Sequence, residues 1–304
     1  LIRAALDIGT NSSLFVLAEV ESGGKIRPLR HEVRTNDLGR GLNDQNELTD
    51  DTIELNLRLL REFKQMADAG GAPDIIIAGT EALRRAANSS VLLERARNEL
   101  GLEIRIIPGH EEAALTYLGV TSGLPNTDHP RVVADVGGGS TEIILGRGNQ
   151  PAQSESLPLG AVSLDRQYVK HDPPLPEEIE AIKGYVEKCL AGSLLKRAPR
   201  EAEWIFCGGT ASALAIADLG LANYQPERIA GHRLTRDRIE RFVQQFCNST
   251  LEERRAMAGI GRRRAEIILP GALIIRELMK TARIEAYQTS ERGLRYGLLL
   301  QMAL

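Results

Sequence analysis

Cysteine is scarce in this chain. Its three residues, Cys189, Cys207 and Cys247, form no CxxC pair, which argues against a disulfide framework and a thiolate zinc site. A reducing compartment follows, so the expected location is cytoplasmic. Long apolar runs are missing too. The run Ile75-Ile76-Ile77-Ala78 falls far short of the ~20 residues that cross a bilayer, and no membrane partner is expected. The N-terminus enters a strand pattern at once and breaks at Asp7, without the shape of a secretory leader. A basic excess is lacking: 38 Lys and Arg stand against 41 Asp and Glu, a net charge of −3. That excludes a general nucleic-acid binder and leaves any polyanion to a local arrangement. The five histidines, His31, His110, His129, His171 and His232, are scattered, with no HxxxH or His-Asp pair in the sequence. What is present is 42% hydrophobic and 26% charged residues over 304 positions, the make-up of a globular protein of about two domains.

Strand and helix patterns alternate along the chain. Residues 4–7 and 14–20 read as strands around a polar turn, 52–69 as a helix and 74–78 as a buried strand. A helix from 81, a helix at 91–100, a strand at 104–107 and a helix at 111–119 follow. The polar, proline-flanked stretch 125–130 reads as a linker. The pattern then restarts with strands at 131–135 and 142–146, an amphipathic helix at 176–196, a strand at 204–207 and a helix at 211–219. Helices at 235–247, 251–258 and 264–281, a strand at 284–288 and a helix ending at 304 close the chain.

The restart repeats individual residues. Asp7, Gly9 and Ser12 match Asp135, Gly137 and Ser140 at an offset of 128, and Gly79-Thr80 matches Gly209-Thr210 at 130. Order, context and offset agree, which favours a duplicated α/β domain over chance. The expected units are 1–125 and 126–304, facing each other across a cleft, with residues 294–304 packing back on the first.

The two Asp-x-Gly turns are the chemical clue. Glycine opens backbone angles closed to other residues, so successive N–H groups can point into one concavity that takes phosphate. Ser12, Ser13, Ser140 and Thr141 add hydroxyl donors, and Asp7 and Asp135 are placed to hold a hydrated magnesium ion. A Walker A loop is excluded because no Gly-Lys-Ser/Thr follows. Each turn taken alone is equally a plain glycine hairpin; two matching turns favour phosphate. Gly79-Thr80 and Gly208-Gly209-Thr210 each join a strand to a helix, where free N–H groups attract an anion or a threonine simply caps. Arg84 and Arg85 lie about 100° apart around their helix, and position favours Arg84 as a phosphate clamp over a surface ion pair. Glu111-Glu112 open a helix, where acidic residues suit the dipole and a general base stays ionised. Arg254-Arg255 with Arg262-Arg263-Arg264 form either a solvated basic face or a guide for a long anion. Glu142 is a possible outer-shell metal group. Trp204, Met257 and Met279 sit on apolar patterns and are expected in the core.

These motifs, in this order, resemble the exopolyphosphatase/guanosine pentaphosphate phosphohydrolase (Ppx/GppA) phosphatases over nearly the whole chain. The resemblance rests on Leu6-Asp7-Ile8-Gly9-Thr10-Asn11-Ser12-Ser13, on Gly79-Thr80-Glu81-Ala82-Leu83-Arg84 with Asn88, and on Gly109-His110-Glu111-Glu112-Ala113. It continues in Asp135-Val136-Gly137-Gly138-Gly139-Ser140-Thr141-Glu142, Gly208-Gly209-Thr210 and Gly293-Leu294-Arg295. It implies two duplicated ribonuclease-H-like domains of the actin and sugar-kinase superfamily around a central cleft. It also implies Glu112 as the catalytic base and two phosphate-binding glycine loops, the second holding the magnesium site. Two positions depart from the family pattern: Glu266 stands where aspartate is usual, and Tyr296 where glutamate is usual. With no added helical phosphohydrolase-like domain in sight, the chain looks like a short two-domain member.

The expected function is therefore an exopolyphosphatase that uses Mg2+ to remove terminal phosphate from inorganic polyphosphate. Water activated by Glu112 attacks in line, with Arg84 and the loops stabilising charge. The rival substrate is guanosine pentaphosphate, with a purine pocket near residues 208–210; a superfamily kinase and an alarmone sensor are more remote alternatives. A homodimer is a further expectation.

Overall fold

A computed structural model describes residues 1–21 and 24–301; the expected helix end at 302–304 lies outside the described residues. The chain divides into two compact units, one formed by Leu1–Pro125 with the segment from Arg292, the other by Asn126–Glu291.

The first unit holds β1 (Ile2–Ile8), β2 (Ser12–Val20), β3 (Ile26–Thr35), α1 (Asp50–Ala69), β4 (Ile75–Gly79), α2 (Glu81–Arg85), α3 (Ser89–Leu100), β5 (Ile104–Ile106) and α4 (Gly109–Thr121). Its sheet runs β3-β2-β1-β4-β5, antiparallel across the first three strands and parallel across the last three. Side chains alternate between faces along a strand, and the sheet is covered on both. Leu6, Ile8, Phe15 and Leu17 enter one core, while Ala5, Val16 and Ala18 enter another. Burial on both faces is why residues 75–77 read as an unbroken apolar run. Thr49 caps α1, its hydroxyl accepting from the Thr52 N–H.

The second unit holds β6 (Pro130–Val136), β7 (Thr141–Arg147), β8 (Gln150–Leu157), α5 (Ala161–Tyr168), α6 (Pro176–Leu190), β9 (Glu203–Cys207), α7 (Gly208–Asp218) and α8 (Pro226–Ile229). It continues with β10 (Arg233–Thr235), α9 (Arg236–Cys247), α10 (Leu251–Ala256), α11 (Ile268–Ala282) and β11 (Ala286–Thr289). Its sheet runs β8-β7-β6-β9-β11-β10, the same order with one strand added, and pairs with the same directions. This is the ribonuclease-H-like order, present twice. Even a register shift recurs, after Leu17 in β2 and after Leu145 in β7, again 128 residues apart. The pairing corrects the second offset: Asp7 stands opposite Ala78 and Asp135 opposite Cys207. Strand equivalence there is 129, so Gly79 corresponds to Gly208 and not Gly209.

The last helix, α12 (Leu294–Gln301), packs on α4, β1 and β2 of the first unit. Gly119 and Gly297 make that approach possible, since a Cβ on Gly297 would collide with the Leu115 carbonyl and one on Gly119 with that of Gly293. The expected helices at 176–196 and 264–281 are each broken, the first into α6 and a 3-10 turn at Leu194–Arg197, the second into a turn at Arg264–Glu266 and α11. Among the described residues no helix is long and apolar enough to cross a membrane.

Candidate phosphate site

The two glycine loops share one geometry. Gly9 N–H donates to Ser12 O at 3.0 Å, and Gly137 N–H to Ser140 O at 3.0 Å. In each loop the carbonyls are tied from behind. In the first, Gly9 O accepts from the Asn36 side chain at 2.9 Å and Thr10 O from Gly39 N–H at 2.7 Å. In the second, Gly137 O accepts from Ala161 N–H at 3.0 Å and Gly138 O from Val162 N–H at 2.8 Å. In a trans peptide the carbonyl and the following N–H point in opposite directions. The N–H groups of Thr10 and Asn11, and of Gly138 and Gly139, are thereby turned away from these anchors.

Of the four expected hydroxyl donors, those of Ser140 and Thr141 are engaged within the fold, as is that of Thr10. Thr10 donates to Glu81 at 3.0 Å, Ser140 to Glu142 at 2.7 Å and Thr141 to Leu159 O at 2.5 Å. Those protons are used internally. Ser13 accepts from Asn36 at 3.0 Å and Ser12 from Asn11 at 2.9 Å, so both keep a proton to give.

At the carboxyl ends of β4 and β5, where ligands collect in open α/β sheets, α2 and α4 carry Arg84 and Glu112. Arg84 Nη1 donates to Glu112 Oε2 at 2.6 Å and to Ile107 O at 2.8 Å. Glu112 is 9% exposed. The neighbours face outward: Glu111 pairs with Arg105 at 2.7 Å, and Arg85 with Glu81 at 3.3 Å. Arg84 therefore bears directly on Glu112. Asp7, at the end of β1, belongs to this unit.

Asp135, one residue before the end of β6, is largely enclosed, and burial pushes its carboxyl up to about 6, against the pull of a hydrogen bond from the Cys207 thiol. No basic side chain neutralises it among the described residues. A cation fits that need, since Mg2+ takes one or two carboxylates and fills its shell with water and phosphate; no cage of three His, Cys, Asp or Glu occurs among the described residues. Glu142 is 2% exposed, and its Oε1 accepts from Ser140 and Ser156 at 2.7 Å each. Gly208, at φ +87, is required: a Cβ would stand 2.5 Å from Asp135 Oδ1. Gly208, Gly209 and Thr210 form the first turn of α7, whose N–H groups lack helix partners. The Thr210 hydroxyl is buried against Gly271 with no hydrogen-bond partner.

The basic cluster is neither one solvated face nor one guide. Arg254 is buried and donates to the carbonyls of Phe246, Ser249 and Ala265. Arg255 pairs with Glu252 and Glu266. Arg264 lies with its guanidinium against Gly209, where any Cβ would collide with it. Among the described residues it has no carboxylate partner, and burial lowers it to about 10. It stays charged at neutral pH, beside the positive end of α7. Sequence reasoning also missed Asn36, Gly160, Ser156 and Cys207; only Gly160, a glycine before a helix, carried a signal. The structure does bring one His-Asp pair together, His232 Nε2 and Asp218 Oδ2 at 2.8 Å.

The model of the Ppx/GppA phosphatase family matches residues 16–304. Exopolyphosphatase 2 of Mycobacterium tuberculosis is 28% identical, over 99% of this chain and 98% of its own. The guanosine-5'-triphosphate,3'-diphosphate pyrophosphatase of Photobacterium profundum is 30% identical, over 99% of this chain but 59% of its own. Among solved structures, the Aquifex aeolicus Ppx/GppA family member superimposes with TM-score 0.84 at 30% identity, covering 99% of this chain and 97% of that one. An exopolyphosphatase from Cytophaga hutchinsonii does so with TM-score 0.89 at 27% identity, covering 100% and 98%.

Proposed function

The chain belongs to the Ppx/GppA phosphatase family, and we propose that it is an exopolyphosphatase that hydrolyses the terminal phosphoanhydride of inorganic polyphosphate. The observation that supports this reading is the pair of loops, each with two carbonyls anchored from behind so that two N–H groups face away from the anchors, a geometry suited to phosphate oxygens. Glu112 takes the proton of the attacking water, which its burial and its position at the start of α4 suit. Arg84 holds that carboxylate and offers its remaining donors to the transferring group. Arg264 supplies an uncompensated charge for further phosphates of a polyanion. Mg2+ would be held by Asp135, with Glu142 in reserve through water. Bound there, it would neutralise phosphate charge.

Polyphosphate is placed first because the resemblance to exopolyphosphatase 2 runs the length of both chains. Guanosine pentaphosphate is the second reading, favoured by the Photobacterium relative. Phosphate release from polyphosphate, guanosine pentaphosphate and ATP, measured side by side without an acceptor, tests both. Release from polyphosphate at least tenfold faster than from the nucleotides supports the first reading; no release without an added acceptor would point to a kinase and overturn both.

A further inference from the structure

The second glycine loop is held from behind by the first turn of α5. Three N–H groups of the first turn of α5, those of Ala161, Val162 and Ser163, donate to Gly137 O at 3.0 Å and to Gly138 O at 2.8 and 3.2 Å. These are N–H groups a helix cannot use internally. Gly160, just before them, is pressed so close that a Cβ would collide with Gly138 O and with the Gly139 backbone. We propose that this turn of α5 is a positioning element for phosphate binding, fixing the Gly138 and Gly139 N–H groups toward the anion and passing the positive end of α5 to them through the loop peptides.

Two physical effects act together. Anchoring both carbonyls removes the freedom of the two peptide planes to rotate, so the donors are oriented before the anion arrives. A carbonyl that accepts a hydrogen bond also polarises its own peptide, which strengthens the N–H on the other side. The first unit reaches the same end by unrelated means. There Asn36, fully buried, and Gly39 tie Gly9 O and Thr10 O, and the Asn56 side chain holds Asn36 O at 3.0 Å. Two different anchors on two duplicated loops, each freeing the N–H groups at the same offset of 128, indicate that loop orientation is what both serve.

The inference rests on the reading that the second loop binds phosphate, and the test separates the two. Ala161 is the first residue of α5, where proline suits a helix, and Gly160 before it is extended at φ −125 and ψ 141, as a residue preceding proline must be. Ala161→Pro puts a ring carbon where the N–H pointed at Gly137 O, so it removes that donor and also displaces the carbonyl from its 3.0 Å position, while leaving the bonds within the helix intact. Should the ring not fit, an ester in place of the Gly160–Ala161 amide deletes the same N–H without added bulk. Inorganic phosphate is titrated into the whole protein while the Gly138 and Gly139 amide resonances are followed, and melting temperature and turnover are recorded. In the unaltered protein both resonances should move and saturate. In either variant phosphate should bind about tenfold more weakly and kcat should fall about tenfold, with the melting temperature lowered only as far as the loss of one buried hydrogen bond requires and the protein still folded. If neither resonance responds in the unaltered protein, the phosphate reading of the loop fails, and the inference with it. If they respond there and the variants bind phosphate equally well, the loop reading stands and the role of α5 is overturned.

Discussion

Glu112→Gln is the sharpest test of the chemistry. Glutamine keeps the shape of the side chain and can still orient a water, but it cannot take the proton. General-base assistance is worth about 10²–10⁴-fold, so turnover on polyphosphate should fall by that factor. The structural cost is separable. Arg84 Nη1 loses a charged acceptor at 2.6 Å but keeps Ile107 O at 2.8 Å. Weakening one partner of a half-buried bond costs about 1–3 kcal/mol, which lowers the melting point without unfolding the protein. Glu111→Gln is the internal control. Its carboxylate pairs with Arg105 on the surface, and such exposed pairs contribute about 0.2–1 kcal/mol. The assay is phosphate release at saturating polyphosphate and magnesium, with binding measured separately. Binding to Glu112→Gln should hold or tighten, because a carboxylate beside a polyanion repels it. A Glu112→Gln enzyme that turns over within threefold of the parent would refute the assignment of the base.

Four other outcomes are expected. Arg84→Ala should lower kcat/KM by the equivalent of about 2–4 kcal/mol, while Arg85→Ala, on the outward side with Glu81, should change it little; kinetics of both variants decide. Without a divalent cation, stability should fall as pH rises from about 4 to about 6, since folded Asp135 keeps a proton that the unfolded chain has released. The size is about 3 kcal/mol at 1.36 kcal/mol per pH unit, and denaturant titrations should show it abolished in Asp135→Asn and offset by added magnesium. His31 acts in the opposite sense: burial and Arg295 hold it down to about 4, so its contribution is present above pH 6.5 and lost as pH falls toward 4. His31→Phe should flatten that acid limb in the same titrations. Gly297→Ala forces a methyl group against the Leu115 carbonyl and should destabilise by about 1–3 kcal/mol or more; an unchanged melting curve would show that α12 can move away from α4.

The duplicated strands were legible because their burial makes them so. Residues 75–77 and 132–134 are apolar on both faces of a covered sheet, and their short length and β-branched Ile and Val favour a buried strand over a buried helix segment. β3 and β8 were invisible for the complementary reason. They are edge strands, largely exposed, carrying Arg27, Pro28, Arg30, Glu32 and Arg34 in one case and Pro151, Gln153, Ser154 and Glu155 in the other. Charge and proline are what keep such an edge from pairing with another chain, and they erase the alternation by which a strand is recognised. The feature that protects the sheet is the one that hides it.

The site divides along the same line. The glycines and the Arg84 side of α2 follow from short-range position, and a helix turn of 100° per residue separates Arg84 from Arg85 and Glu112 from Glu111; spacing leaves Glu111 and Glu112 open, and the family resemblance is what singles out Glu112. What orients the loops is long-range. Asn36 reaches back 27 residues to Gly9, and Ala161 reaches 24 residues to Gly137. Neither contact leaves a periodicity, and asparagine in particular is read as a turn former wherever it stands. The hydroxyls mislead in the other direction: serine and threonine beside a glycine turn suggest donors, yet Thr10, Ser140 and Thr141 spend their protons on Glu81, Glu142 and Leu159 O. A hydroxyl can rotate to whichever acceptor lies nearest, whereas a peptide N–H goes where its carbonyl is tied. Phosphate affinity in this fold should accordingly survive Thr141→Val, which removes a hydroxyl used internally, better than it survives loss of a single carbonyl anchor behind the loop. Phosphate titrations of Thr141→Val and Ala161→Pro in parallel make that comparison; weaker binding in the former would return the hydroxyls to the anion.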